Sequence, residues 1–146
     1  MPKEKTGYYI KCIANEIRRY QDENAERAGL SATQAYILAF LHGNEQEGKK
    51  VRQCDLEKWL NIRAPSVTGL LVGMERAKLI VRTNAEEDVR AKNVELTERG
   101  RAVALRGMEQ MKALDERMMT GFTPQERAEL TELLQRALYN VKNIKS

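Results

Sequence analysis

The chain is 146 residues long, about one domain, and long enough to take roughly two-thirds of its extended-chain surface out of water without staples. Its 42% hydrophobic and 32% charged residues argue against a disordered chain, and its two cysteines, Cys12 and Cys54, are too few and too far apart for a disulfide scaffold or a closed zinc site. Lys and Arg number 25 against 21 Asp and Glu, a net charge of +4 that suits a nucleic-acid partner without requiring one.

The opening stretch MPKEKTGYYIKC lacks the apolar core and small-residue cleavage pattern of a secretory signal, and no segment approaches the roughly 18 apolar residues of a membrane span. A cytoplasmic protein with no membrane partner is expected. From residue 8 to 28, Ile10, Ile13, Ile17 and Tyr20 recur at helical spacing between charged residues, which predicts an amphipathic helix ending near Gly29. LSATQAYILAFLHG predicts the next helix: Ser31 caps it, Gln34 completes a capping box, Tyr36, Ile37, Phe40 and Leu41 supply apolar contacts, and Gly43 marks its exit. NEQEGKK, residues 44–50, reads as a loop. A short helix then fits RQCDLEKWL, with Cys54, Leu56, Trp59 and Leu60 available for packing.

NIRAP interrupts that helix, because Asn61 favours an exit and Pro65 suits the first turn of a new one, running from about residue 65 to 77. LIVRT and VRAKNVEL read as two strands of a hairpin around the polar tip NAEED, with the register left open by imperfect alternation. Thr97 caps a long helix to Met119. In TPQE, residues 123–126, Thr123 caps, Pro124 takes the first helical position and Glu126 closes the box of a last helix with Leu130, Leu133, Leu134, Ala137, Leu138 and Val141 on its apolar side.

Two short helices joined tightly, the second led by small and polar residues, have the form of a helix-turn-helix, which puts one helix in the major groove while its neighbour braces it. Val67, Leu70, Leu71 and Met74 form the packing face of the second helix. Pro65, Ser66, Thr68 and Gly69 cluster near its leading end, where Ser66 and Thr68 can hydrogen-bond base edges, the Thr68 methyl can meet thymine, and Gly69 permits close approach. Equally, Ser66 can be a helix cap and Thr68 can bond within the protein. Arg76 follows the apolar run of this helix, and Arg82, Arg90 and Lys92 surround the hairpin, where they can contact an adjacent phosphate backbone or minor groove; Asp88 can orient Arg90 or bind backbone donors at the turn, or form an ordinary solvent-facing ion pair.

Taken together, LSATQAYILAFL, DLEKWLNIRAPSVTGLLVGMERAKLIVR and DVRAKNVELTERG resemble the MarR family of winged helix-turn-helix regulators over nearly the whole chain. The resemblance implies a mainly α fold with a small β wing, a winged helix-turn-helix over residues 31–96, and a helical dimerisation region over 8–28 and 97–143 within one domain, 1–146. It makes residues 65–75 the recognition helix and gives Asp88 and Arg90 the family's wing roles, the acid supporting the turn and the arginine contacting DNA. Two departures stand out: Val72 and Gly73 replace the usual polar or basic residues, and Lys78 replaces a glycine. A homodimer on double-stranded DNA carrying a pseudo-palindromic operator follows, acting as a repressor released by a small aromatic effector or an oxidant, without a cofactor, a metal or catalysis.

An activator or dual regulator has the same fold, and a non-DNA helical protein-interaction module is the second alternative. Cys12, near Tyr8 and Tyr9, is a candidate redox sensor set against an inert buried cysteine. Met108, Met111, Leu114, Met118 and Met119 read as packing residues, and His42 has neither an acid–base partner nor a metal constellation around it.

Overall fold

The computed structural model describes residues 5–85 and 88–145, with residues 88–90 as backbone only. In chain order the elements are α1 (Thr6–Arg27), α2 (Ala32–Gln46), β1 (Val51–Arg52), α3 (Gln53–Leu60), α4 (Ala64–Arg76), β2 (Ile80–Ala85), β3 (Asp88–Leu96), α5 (Glu98–Met118) and α6 (Pro124–Lys142). The chain is thus mainly helical with a small antiparallel wing. It forms two compact units, one through Met111 and one from Lys112 onward.

In the first unit Ile37, Leu38 and Leu41 of α2, Leu56 of α3, Val67, Leu71 and Met74 of α4, and Leu79, Ile80, Val94 and Leu96 at the wing root form one buried cluster. Each aliphatic side chain removed from water in this way contributes about 1.5–3 kcal/mol. The core therefore holds the two short helices and the wing root as one body.

Three expectations need correction. Helix α2 does not stop at Gly43 but runs to Gln46, with the Asn44 amide donating to the Phe40 carbonyl at 2.8 Å. Its exit is Gly48, at φ +71, where the Gly48 and Lys49 N–H groups donate to the carbonyls of Glu45 and Asn44. A third strand, β1, precedes α3 and pairs with β3, giving the order β1-β3-β2. Two residues with no alternating pattern left no trace of it in the sequence. Finally, Cys54 and Trp59 are exposed while Leu56 is fully buried, so an eight-residue helix packs through one narrow stripe.

The hairpin register places Ile80 opposite Leu96, Arg82 opposite Val94 and Asn84 opposite Lys92. Directly opposed residues in an antiparallel ladder share a face. Val94 is buried, so Arg82 lies on the core side of the wing while its neighbour Val81 faces out. Near the tip Ala85 pairs with Asp88. One step on β2 thus spans four on β3, and residues 89–91 bulge from the ladder.

Helices α1 to α4 all end with a left-handed residue and paired backbone bonds back to the last turn, at Gly29, Gly48, Asn61 and Lys78. At Lys78 the bonds are Lys78 N–H to the Glu75 carbonyl, 2.9 Å, and Leu79 N–H to the Met74 carbonyl, 3.0 Å. Beyond it the Thr97 hydroxyl donates to the Lys78 carbonyl at 2.6 Å and accepts from the Gly100 N–H at 3.0 Å. A Cβ on Gly100 would sit 2.0 Å from the Leu79 carbonyl oxygen, so only glycine allows α5 to start here.

In the second unit the Thr123 capping box forms as expected, the Thr123 hydroxyl accepting from the Glu126 N–H at 3.1 Å and the Glu126 carboxylate from the Thr123 N–H at 2.9 Å. Arg127 pairs with Glu116 at 3.2 Å and Asp115 at 3.5 Å. The apolar side chains of α6 stay exposed, Leu133 at 55% and Leu138 at 54%. Tyr9, Ile10 and Ile13 of α1 are exposed as well, in the first unit. Met108 and Met118 of α5 are exposed, whereas Met111 is half-buried and accepts from the Gln21 amide at 3.5 Å, and Met119 is half-buried.

Candidate nucleic-acid interface

Helix α4 begins with Arg63 at its N-cap and Pro65 in its first turn, where the missing proline N–H costs nothing. The Arg63 carbonyl accepts from the N–H groups of Ser66 and Val67 at 3.0 and 3.2 Å, and α4 has no side-chain cap. Ser66 is therefore inside the helix rather than its cap. Pro65, Ser66 and Gly69 are exposed, and a Cβ on Gly69 would meet nothing within 4 Å. On the opposite side Val67, Leu71 and Met74 are fully buried.

Gln34 fixes the roll of α4 from behind. Its Oε1 accepts from the Ser31 N–H at 3.0 Å to close the α2 capping box, and its Nε2 donates to the Leu70 carbonyl at 3.2 Å. A Cβ at Gly73 would lie 3.1 Å from that Nε2. The departure at Gly73 thus makes room for a brace from α2.

Thr68 and Arg82, both half-buried, are bonded to one another's neighbours within the protein, in one chain of contacts. The Thr68 hydroxyl accepts from Gln53 Nε2 at 2.8 Å, and Gln53 Oε1 accepts from Arg82 at 3.4 Å. Arg82 also donates through Nε, and pairs through a terminal nitrogen, with the same Glu75 oxygen, each at 2.6 Å. With 22% of the Arg82 side chain exposed, its role in this structure is to tie the wing to α3 and α4. The register explains why: position 82 shares the core face with Ile80 and Val94.

Arg76 lies exposed in the last turn of α4, and Lys92 is exposed with its ammonium donating across the hairpin to Asn84. Asp88 and Arg90 are backbone positions of β3, Arg90 within the bulge, and their side chains lie outside the described residues. Cys12 is half-buried in α1, beside Tyr8, whose hydroxyl it holds above the usual tyrosine range by hydrogen bonding and charge.

Sequence reasoning missed Gln53 and Arg63. Gln53 opens the bracing helix, and its reach to two other elements depends on β1, which the sequence did not reveal. Arg63 was legible as the residue two before the leading Pro65, a position that caps a helix and stays exposed.

A model of the MarR family matches residues 28–91. An uncharacterized HTH-type transcriptional regulator, YdgJ of Bacillus subtilis strain 168, is 27% identical over 118 residues, covering 81% of this chain and 70% of that protein. Among solved structures, MepR, a transcription regulator of the Staphylococcus aureus multidrug efflux pump MepA, is similar at a TM-score of 0.82 and 23% identity, covering 94% of this chain and 98% of that one. The S. aureus MepR–DNA complex is similar at a TM-score of 0.73 and 24% identity over 95% of this chain and 99% of that one. At such identities the structural likeness is one of fold. Sequence match and fold point the same way: residues 28–91 match the MarR family, and the chain as a whole has a winged helix-turn-helix fold like that of these solved structures.

Proposed function

We propose that the chain is a sequence-specific double-stranded DNA-binding transcription repressor that works as a homodimer on a pseudo-palindromic operator. The observation that carries this reading is the exposed leading end of α4, Pro65, Ser66 and Gly69, on a helix whose other face is sealed into the core. A rigid helix with small residues at its tip fits the major groove. Arg63 and Arg76 at its two ends and Lys92 on the wing supply cations for phosphates, and Arg90 is assigned the wing's contact with DNA. MepR, of like fold, has been crystallised with DNA, and YdgJ is described as an HTH-type regulator. The match of residues 28–91 to the MarR family supports a regulator rather than an enzyme.

In this reading residues 31–96 form the DNA-reading part, and 8–28 with 97–143 pair two copies through the exposed apolar residues of α1 and α6. Recognition helices on successive major grooves of one DNA face lie roughly 34–36 Å apart. A small aromatic compound or an oxidant acting at Cys12 would release the operator by favouring another spacing. Where the operator lies relative to a promoter separates repression from activation. The exposed Tyr36 and Trp59, with Trp59 stacked on Phe40 at 4.2 Å between ring centres, favour a second reading as a protein-interaction module.

Selection of bound sequences from random duplex DNA at several salt concentrations tests the proposal. Arg76→Ala should weaken all complexes alike and reduce the salt slope by about 1, whereas Ser66→Ala should alter base preference. A folded protein that enriches no sequence and shows no salt-dependent binding would favour the interaction module.

A further inference from the structure

The chain of contacts Glu75–Arg82–Gln53–Thr68 has a direction. Glu75 as a carboxylate only accepts, and the Arg82 guanidinium only donates. The oxygen of the Gln53 amide must therefore face Arg82, and its NH2 group must face Thr68. This orientation follows from the chemistry of the neighbours, and the distances agree with it: 3.4 Å from Arg82 to Gln53 Oε1 and 2.8 Å from Gln53 Nε2 to the Thr68 hydroxyl. Thr68 is thereby obliged to accept on its inner side.

Its proton is left without a use inside the protein. A helical threonine commonly returns that proton to the carbonyl four residues back, as Thr131 does to Arg127 at 2.9 Å. Among the described residues no carbonyl takes the Thr68 proton. Thr68 is only half-buried and lies between the exposed Ser66 and the open Gly69, so the hydroxyl has access to whatever approaches the front of α4.

We infer that Gln53, which sits behind α4, is a specificity-determining positioning residue: it sets the hydrogen-bond polarity of Thr68 so that this hydroxyl selects an acceptor on the base edge it meets. The inference rests on the DNA-binding reading above. Against an acceptor such as guanine O6 or N7, adenine N7 or thymine O4, both Thr68 bonds are made. Against an amino group of adenine or cytosine, the remaining lone pair can accept, but the proton is stranded in a closed interface, and an unmade bond costs more than a made one contributes. Arg82 and Glu75 hold Gln53 in this orientation. A wing arginine thus acts on base choice at α4 through the amide.

The test uses the full-length protein and a random-sequence duplex DNA library, with wild type and three variants. Thr68→Val removes the hydroxyl while keeping the shape, and the base-pair position whose preference it flattens identifies the one Thr68 reads. Gln53→Met removes the inner donor and should relax preference at that same position. Gln53→Glu replaces the donor by a second acceptor, drawing the Thr68 proton inward, and should tilt that position toward amino-bearing edges by roughly threefold to tenfold, the range of one neutral hydrogen bond. Its added negative charge lowers affinity for every sequence alike, which the ratio between sequences cancels. If Gln53→Glu does not fold, the Gln53→Met result decides. Preferences unchanged at the Thr68 position in the folded Gln53 variants, or changed only elsewhere, would overturn the inference. A wild-type protein that enriches no sequence would instead overturn the DNA-binding reading.

Discussion

At the scale of single residues, two backbone positions govern the wing root. Lys78 takes a left-handed conformation at φ +59, which costs a side-chain-bearing residue about 1–2 kcal/mol. Lys78→Gly should raise unfolding stability by about 1 kcal/mol, part of the relief being lost to the freer unfolded chain; thermal or urea unfolding would show it. A flat or lowered stability would mean that the lysine side chain makes up the strain in another way. Gly100 is the opposite case. With the Leu79 carbonyl 2.0 Å from any added Cβ, Gly100→Ala should cost about 3 kcal/mol or more, because backbone rather than a flexible side chain must move. Arg82 shows what residue-by-residue reading cannot see. As a cation beside a hairpin it reads as a phosphate contact, and only the register, Arg82 opposite the buried Val94, turns it inward toward Glu75 and Gln53.

At the scale of elements, most of the fold was legible because strong local signals agreed. Ser31 with Gln34 and Thr123 with Glu126 both form capping boxes, and the stripe Val67, Leu71 and Met74 is buried as its spacing implied. What failed depended on partners distant in sequence. Strand β1 exists only because β3 offers it an edge, and α2 passes Gly43 because a single interior glycine costs only about 1 kcal/mol while Gly48 can supply the closing turn. The candidate site divided in the same way. The exposed tip of α4 followed from local order, but the internal bonding of Thr68 and Arg82 required the tertiary arrangement. For α6 the cap gives a direct prediction: Thr123→Ala should destabilise it by about 1 kcal/mol. The Thr123 bonds hold the Glu126 carboxyl below its ordinary range, and Arg127 does the same for Glu116. Both groups therefore add stability that is fully present above the ordinary carboxylate range and is lost as pH falls through their lowered values. Helicity followed through an acid titration should decline more gradually in Glu126→Gln and Glu116→Gln than in the parent. An unchanged acid profile in both would show that these bonds do not persist in solution.

At the scale of the whole molecule, α6 leaves Leu133, Leu134, Leu138 and Val141 uncovered, and a run of exposed apolar side chains on one helix is a common mark of an interaction surface. If two copies bury them, Leu138→Glu should weaken self-association by about tenfold or more, since a carboxylate would be desolvated without a partner. Sedimentation equilibrium would detect this as a shift toward monomer, and operator binding should fall with it. A parent protein that is already monomeric would remove pairing through this surface from the account. The family match covers residues 28–91, and the fold likeness extends over nearly all of the chain.

The close seating of Gly100 on the Leu79 carbonyl has a mechanical consequence. Main chain rests on main chain there, and the Thr97 hydroxyl clasps the Lys78 carbonyl beside it. No rotamer lies between the two that could absorb a displacement, so a tilt at the first turn of α5 must carry the base of the hairpin with it. A compound that levers that turn would steer the wing without ever touching it.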